Sequence, residues 1–148
     1  WYRGLKQKFK LQLQTAQTKV IRYILDYTCR THLSFSDFNR LNWLNVSGRV
    51  DYLTLNMMYS VHNKTAPVYL CTAKPVQHNY CTRRSDLAYV VPKVKSQGSR
   101  TFSYNSIKLW NDLPYCVKNA ESKEVFKCDC KMFLMEKMKH VEESEFIM

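Results

Sequence analysis

The sequence predicts a mainly α-helical fold. It is read as a small domain of two long helices plus a terminal helix, with a basic irregular segment between them that has room for short β-strands. Apolar residues recur at helical spacing over residues 5–28, 49–63 and 122–141. Only 3 Gly and 4 Pro occur in 148 residues, too few for a turn-rich β-barrel. A content of 45% hydrophobic and 14% aromatic residues excludes a wholly disordered chain. This length suits one domain, or one lobe of a larger protein, with a real core. The chain opens on Trp1 rather than Met and is expected to be a fragment of a longer polypeptide. No uninterrupted apolar run exceeds five residues, so neither a membrane span nor a signal peptide is expected, and no membrane partner. The expected divisions are a helical part (1–64), a basic irregular segment (65–101), a hub with the terminal helix (102–141) and a frayed tail (142–148).

Residues 5–28 place Leu5, Phe9, Leu13, Ala16, Val20 and Ile24 on one helix face, with Ile21 and Leu25 beside them. Lys6, Lys10, Lys19 and Arg22 lie off that face. The stretch reads as a core helix whose basic side is either solvated or laid on a phosphate backbone. Residues 31–46 form a connector containing a short helix. Ser34 and Asp37 have the spacing of a capping box, ahead of Phe38, Leu41 and Leu44. Trp43 and Leu44 are assigned to the core.

Residues 49–63 read as the second long helix. Val50, Leu53, Met57 and Val61 make one stripe, widened by Tyr52, Leu55 and Tyr59, so this helix is expected to be buried between neighbours. Asn63 is the expected left-handed terminator, and Pro67 prevents continuation. His62 stands at the helix end, where the dipole favours its charged form, and a structural role is expected for it.

Residues 68–95 keep no helical period, and only residues 89–91 look strand-like. Lys74, His78, Tyr80, Arg83, Arg84, Tyr89, Lys93 and Lys95 follow one another here, then Arg100, with Asp86 the sole acid. Cations interleaved with aromatics favour nucleic-acid contact over an ordinary exposed loop. Next comes GSRTFSYNSIKLWNDLP (98–114), read as a Trp-anchored turn of helix on which longer helices pack. Ser103 or Asn105 is the expected cap, and Ile107, Trp110 and Leu113 the inner face. Phe102, Trp110 and Leu113 are the expected structural hub, while Tyr104 and Lys108 are available to a nucleic acid. The last helix, 122–141, opens on Ser122 as N-cap with Glu124 in its first turn. It turns Phe126, Cys130, Phe133, Leu134, Met138 and Val141 to one side.

The net charge of +11 is uneven: +7 over residues 1–64, +6 over 65–118 and −2 over 119–148. An excess of this size points to a polyanion partner. The six cysteines contain no CxxC pair, and reduced thiols in a nuclear or cytoplasmic protein are expected. Cys128, Cys130, His140 and Cys116 invite a zinc reading. Residues two apart on a helix diverge by about 200°, however, so CxC inside a helix is a poor chelate, and no metal site is expected. No adjacent Asp pair, glycine-rich phosphate loop or nucleophile with His and acid partners is visible. No catalytic residue is therefore assigned.

One resemblance runs along nearly the whole chain. Its pieces are 11–25 (LQLQTAQTKVIRYIL), Thr31 and His32, 41–44 (LNWL), 49–55 (RVDYLTL) and 66–70 (APVYL). They continue with 80–85 (YCTRRS), 91–94 (VPKV), 102–104 (FSY), 108–114 (KLWNDLP), and Phe126 and Lys127. In this order and spacing the chain resembles the C-terminal, post-palm region of the reverse-transcriptase polyprotein of non-LTR (LINE-type, jockey-like) retrotransposons. It departs from that pattern in having Asn63-Lys64 for Asn-Gly, Ser106-Ile107 for Gly-Pro, and Cys81 for Asn. The left-handed turn after the second helix then falls to Asn63 or to a strained Lys64.

The resemblance implies a parent RNA-directed DNA polymerase whose endonuclease, paired aspartates and Mg2+ lie upstream of these residues. This region would be the thumb and helical tail, inactive alone and without a cofactor of its own, gripping template–primer or element RNA. Its implied partners are RNA or an RNA–DNA hybrid and the rest of its own polyprotein. The expected contacts are Lys6, Lys10, Lys19, Arg22, Tyr80, Arg83, Arg84, Lys93, Lys95, Arg100, Tyr104 and Lys108. The alternative is a protein-interaction or scaffolding module whose charge serves solubility or docking.

Overall fold

The structure, a computed structural model, describes residues 2–70, 73–75, 87–95 and 97–146, with side chains described to residue 141. It is mainly helical. The helices are α1 (Gln7–Ile24), α2 (Phe35–Arg40), α3 (Val46–His62), α4 (Phe102–Asp112), α5 (Tyr115–Lys118) and α6 (Lys123–Phe146). Strand-like pairing among the described residues is an isolated antiparallel bridge between Pro75 and Tyr89. There the Val90 N–H donates to the Lys74 carbonyl at 2.9 Å. Two compact units divide the chain, residues 1–50 with 131–148, and residues 51–130.

In the first unit α1 departs from expectation. Of its apolar residues only Ile21 is buried, while Phe9, Val20 and Ile24 are 48%, 47% and 48% exposed. Two glutamines decide which side turns in. Gln17 Nε2 donates to the Leu44 carbonyl at 2.7 Å, and Gln14 Oε1 accepts from the Val46 N–H at 3.2 Å. Periodicity marks a face as apolar, but these directional bonds set the rotation of the helix and leave the stripe outside.

α2 opens on the expected capping box. The Asp37 carboxylate accepts from the Ser34 N–H at 2.9 Å and from the Tyr27 hydroxyl at 2.9 Å. The Ser34 N–H, followed by the Tyr27 hydroxyl, holds this buried carboxyl below the ordinary carboxylate range. Phe38 is buried, and Leu44 is buried as expected, whereas Trp43, also assigned to the core, is half-buried.

In the second unit the core is aromatic. Trp110 is fully buried between His62, at 5.0 Å between ring centroids, and Phe126, at 5.9 Å. Phe126 stacks on Tyr59 at 4.3 Å, and the Tyr59 hydroxyl donates to the Ala120 carbonyl at 3.1 Å. That anchoring turns Leu55, Met58 and Tyr59 inward on α3 and leaves Leu53 and Met57, expected in the stripe, 54% and 43% exposed. α3 also begins earlier than expected, because the Asn45 carboxamide accepts from the Gly48 N–H at 2.7 Å.

The hub largely keeps its expected inner face, with Ile107, Trp110 and Leu113 all buried. Phe102 instead is 37% exposed. Neither expected cap residue caps α4, since the helix follows Thr101 and Asn105 is buried inside it. Asn105 Nδ2 bonds the Ser99 carbonyl at 2.7 Å and the Thr101 carbonyl at 2.8 Å. α6 opens on Ser122, whose hydroxyl accepts from the Val125 N–H at 3.2 Å, and its backbone stays helical to Phe146. Phe126, Cys130 and Leu134 are buried along it, whereas Val141 is 52% exposed.

Candidate nucleic-acid interface

The described residues 87–111 contain Lys93, Lys95, Arg100 and Lys108 and no Asp or Glu. All four cations are exposed. The scaffold beneath them is the hub. Trp110 Nε1 donates to the Leu87 carbonyl at 2.8 Å. The Asn111 carboxamide acts as a surrogate strand for Tyr89, with Oδ1 accepting from its N–H at 3.0 Å and Nδ2 donating to its carbonyl at 2.8 Å. These bonds supply the backbone pairing that a lone irregular segment lacks.

Beyond Tyr89 the chain folds back at Gly98. A Cβ there would meet Val94 Cβ at 2.7 Å, so this close approach requires glycine. The turn delivers Arg100 to the start of α4. Tyr104 and Lys108 lie one helical turn apart along α4, Tyr104 half-exposed and Lys108 exposed. A cleft of about 340 Å³ lies below, lined by Met58, Val61, Lys74, Val90, Phe102 and Ile107 among others. Among the described residues no carboxylate, thiol or imidazole lines it.

The other expected contacts are less unified. Tyr80, Arg83 and Arg84 lie outside the described residues. On α1, Lys6 is the residue before the first turn, Lys10 sits 5.4 Å over the Tyr2 ring, and Arg22 Nε donates to the Thr31 carbonyl at 3.0 Å. Lys19 is exposed. At 100° per residue, Lys10 and Lys19 point to opposite sides of the helix, so α1 does not gather its cations on one face.

Among the described residues, acid–base and metal chemistry find little to work with. His62 Nδ1 lies 2.8 Å from the Tyr89 hydroxyl. Burial, and then the Lys118 charge, push its pKa down, which corrects the expectation of a charged imidazole at the helix end. Desolvation outweighs the helix dipole here. Burial, with the Asp51 carboxylate second, pushes the Cys130 thiol up to about 12, so it stays protonated near neutrality. Cys128, its neighbour in the CxC pair, is exposed. Among the described residues no group of three His, Cys, Asp or Glu side chains is placed to hold a metal ion. Compared with protein-family models, with curated proteins and with solved structures, the chain matches none.

Proposed function

We propose that this chain is a non-catalytic, nucleic-acid-gripping part of a retrotransposon reverse transcriptase, belonging to the region beyond the polymerase palm. The observation that carries the grip is the acid-free stretch 87–111 with Lys93, Lys95, Arg100 and Lys108 all exposed. Four exposed cations in a stretch that itself holds no acid, bounded by Asp86 and Asp112, attract a phosphate backbone and release its counterions. Tyr104, one turn from Lys108, offers a ring to an unpaired base, a contact worth about 1–3 kcal/mol. The ordered motifs described above support the placement within the retrotransposon polyprotein. Nucleotidyl transfer, with its Mg2+, would belong to the rest of the parent enzyme.

The test is fluorescence anisotropy of the 148-residue chain with a labelled RNA–DNA hybrid across a salt series. Affinity is expected to fall linearly in log–log form. In the Lys93→Ala/Lys95→Ala/Arg100→Ala variant the slope should shrink by about 0.9 for each duplex phosphate no longer neutralised. A folded chain that does not bind, or a slope the variant leaves unchanged, would instead favour the scaffolding module.

A further inference from the structure

The outward stripe of α1 has a periodicity and a charge pattern of its own. Phe9, Leu13, Ala16, Val20 and Tyr23 follow one another at alternating steps of four and three residues. That is the a/d repeat of a helix-pairing seam, narrower than the apolar face of a helix lying on a bilayer. Phe9, Leu13, Val20 and Tyr23 are 48%, 36%, 47% and 88% exposed. Ala16 is exposed as well, and its small side chain lets a second backbone approach the middle of the seam.

The charge beside the seam says what fits it. α1 carries Lys8, Lys10, Lys19 and Arg22 and no acid at all. Its seam-flanking positions are Lys10, Gln12, Gln17, Lys19 and, at the helix end, Ile24. A partner helix with Glu at the corresponding flanks would meet unlike charge there. A second copy of this chain would meet cations with cations, between two chains each carrying +11. We propose that the α1 seam docks one amphipathic helix of a partner protein, apolar at its facing positions and acidic along its flanks. This surface uses different residues from the 87–111 stretch and does not depend on nucleic-acid binding.

The probe is a labelled four-heptad peptide with Leu at a and d and Glu at e and g, titrated with the full chain. Controls are a peptide with Lys at e and g and a shuffled peptide of the first composition. The Glu peptide should bind, and the Lys and shuffled peptides should bind at least about tenfold more weakly. Leu13→Gln with Val20→Gln, two exposed changes that keep helix-forming residues, should weaken the Glu peptide at least about tenfold while helical circular dichroism and hybrid binding stay unchanged. Lys19→Glu should weaken it separately, by a few-fold that shrinks as salt rises. Absence of Glu-peptide binding, or binding indifferent to the Leu13/Val20 pair, overturns the proposal. Sedimentation showing a dimer abolished by that pair would assign the seam to a second copy. Its loss of binding to phosphatidylserine-containing vesicles would assign the seam to a membrane, and either result overturns the partner helix.

Discussion

At the residue scale, His62 shows how burial overrides position. The helix end alone favours an imidazolium, but packing against Trp110 and the Tyr89 hydroxyl removes water, and Lys118 adds a like charge. The folded pKa lies below the ordinary 6.5, so the unfolded chain binds the extra proton first. Stability from this group is therefore full above about pH 6.5 and declines as pH falls from there towards the folded pKa. Urea denaturation across pH 4.5–8 should show the decline, and His62→Gln should flatten it. Asp37, also depressed, acts in a separate window, below its ordinary 3.8. The histidine's neighbours come from α4 and from residue 89, far away in sequence, which is why sequence alone pointed to a shift in the opposite direction.

At the element scale, three helices end by one device. Asp26, Asn42 and Lys64 have φ of 55°, 53° and 56°, in the left-handed region. After each, paired bonds run back onto the closing turn. The N–H of Tyr27, Trp43 and Thr65 reaches the carbonyl of Arg22, Phe38 and Ser60 at 2.8, 2.8 and 2.9 Å. These are Schellman closures built without glycine. Asp and Asn tolerate the conformation, but lysine gains nothing from it. Lys64→Gly should therefore stabilise the chain by about 1 kcal/mol in equilibrium denaturation, the relief of left-handed strain exceeding the entropy cost of glycine.

Of the two residues proposed for this turn from sequence, Lys64 takes it, while Asn63 donates from Nδ2 to the Tyr59 carbonyl at 3.0 Å. The caps at Ser34 and Ser122 were legible, because a cap is a local pattern of residue types. The rotations of α1 and α3 were not. A hydrophobic stripe records that a face is apolar, whereas glutamine bonds in one case and stacked rings in the other choose what turns inward.

For the molecule as a whole, the hub was the most readable feature of the core, and the scaffold beneath the proposed interface the least. Trp110 ties three parts of the second unit together, meeting His62 of α3, Phe126 of α6 and the Leu87 carbonyl. Trp110→Ala should cost about 3–5 kcal/mol of stability, read by chemical denaturation, with hydrogen-exchange protection falling first within residues 51–130. The cations of 87–111 could be listed from sequence, but not their scaffold, since the Asn111 carboxamide that pins Tyr89 looks like any polar residue at a helix end.

The glutamine attachment of α1 carries a mechanical implication. Apolar packing permits a helix to roll a little about its axis at small cost, because surface uncovered on one side is replaced by surface covered on the other. Oriented amides do not. A roll of one residue, about 100°, would break both the Gln17 bond to Leu44 and the Gln14 bond to Val46. The azimuth of α1 is thereby latched, and Phe9, Leu13 and Val20 are presented at a preset angle before anything arrives to meet them.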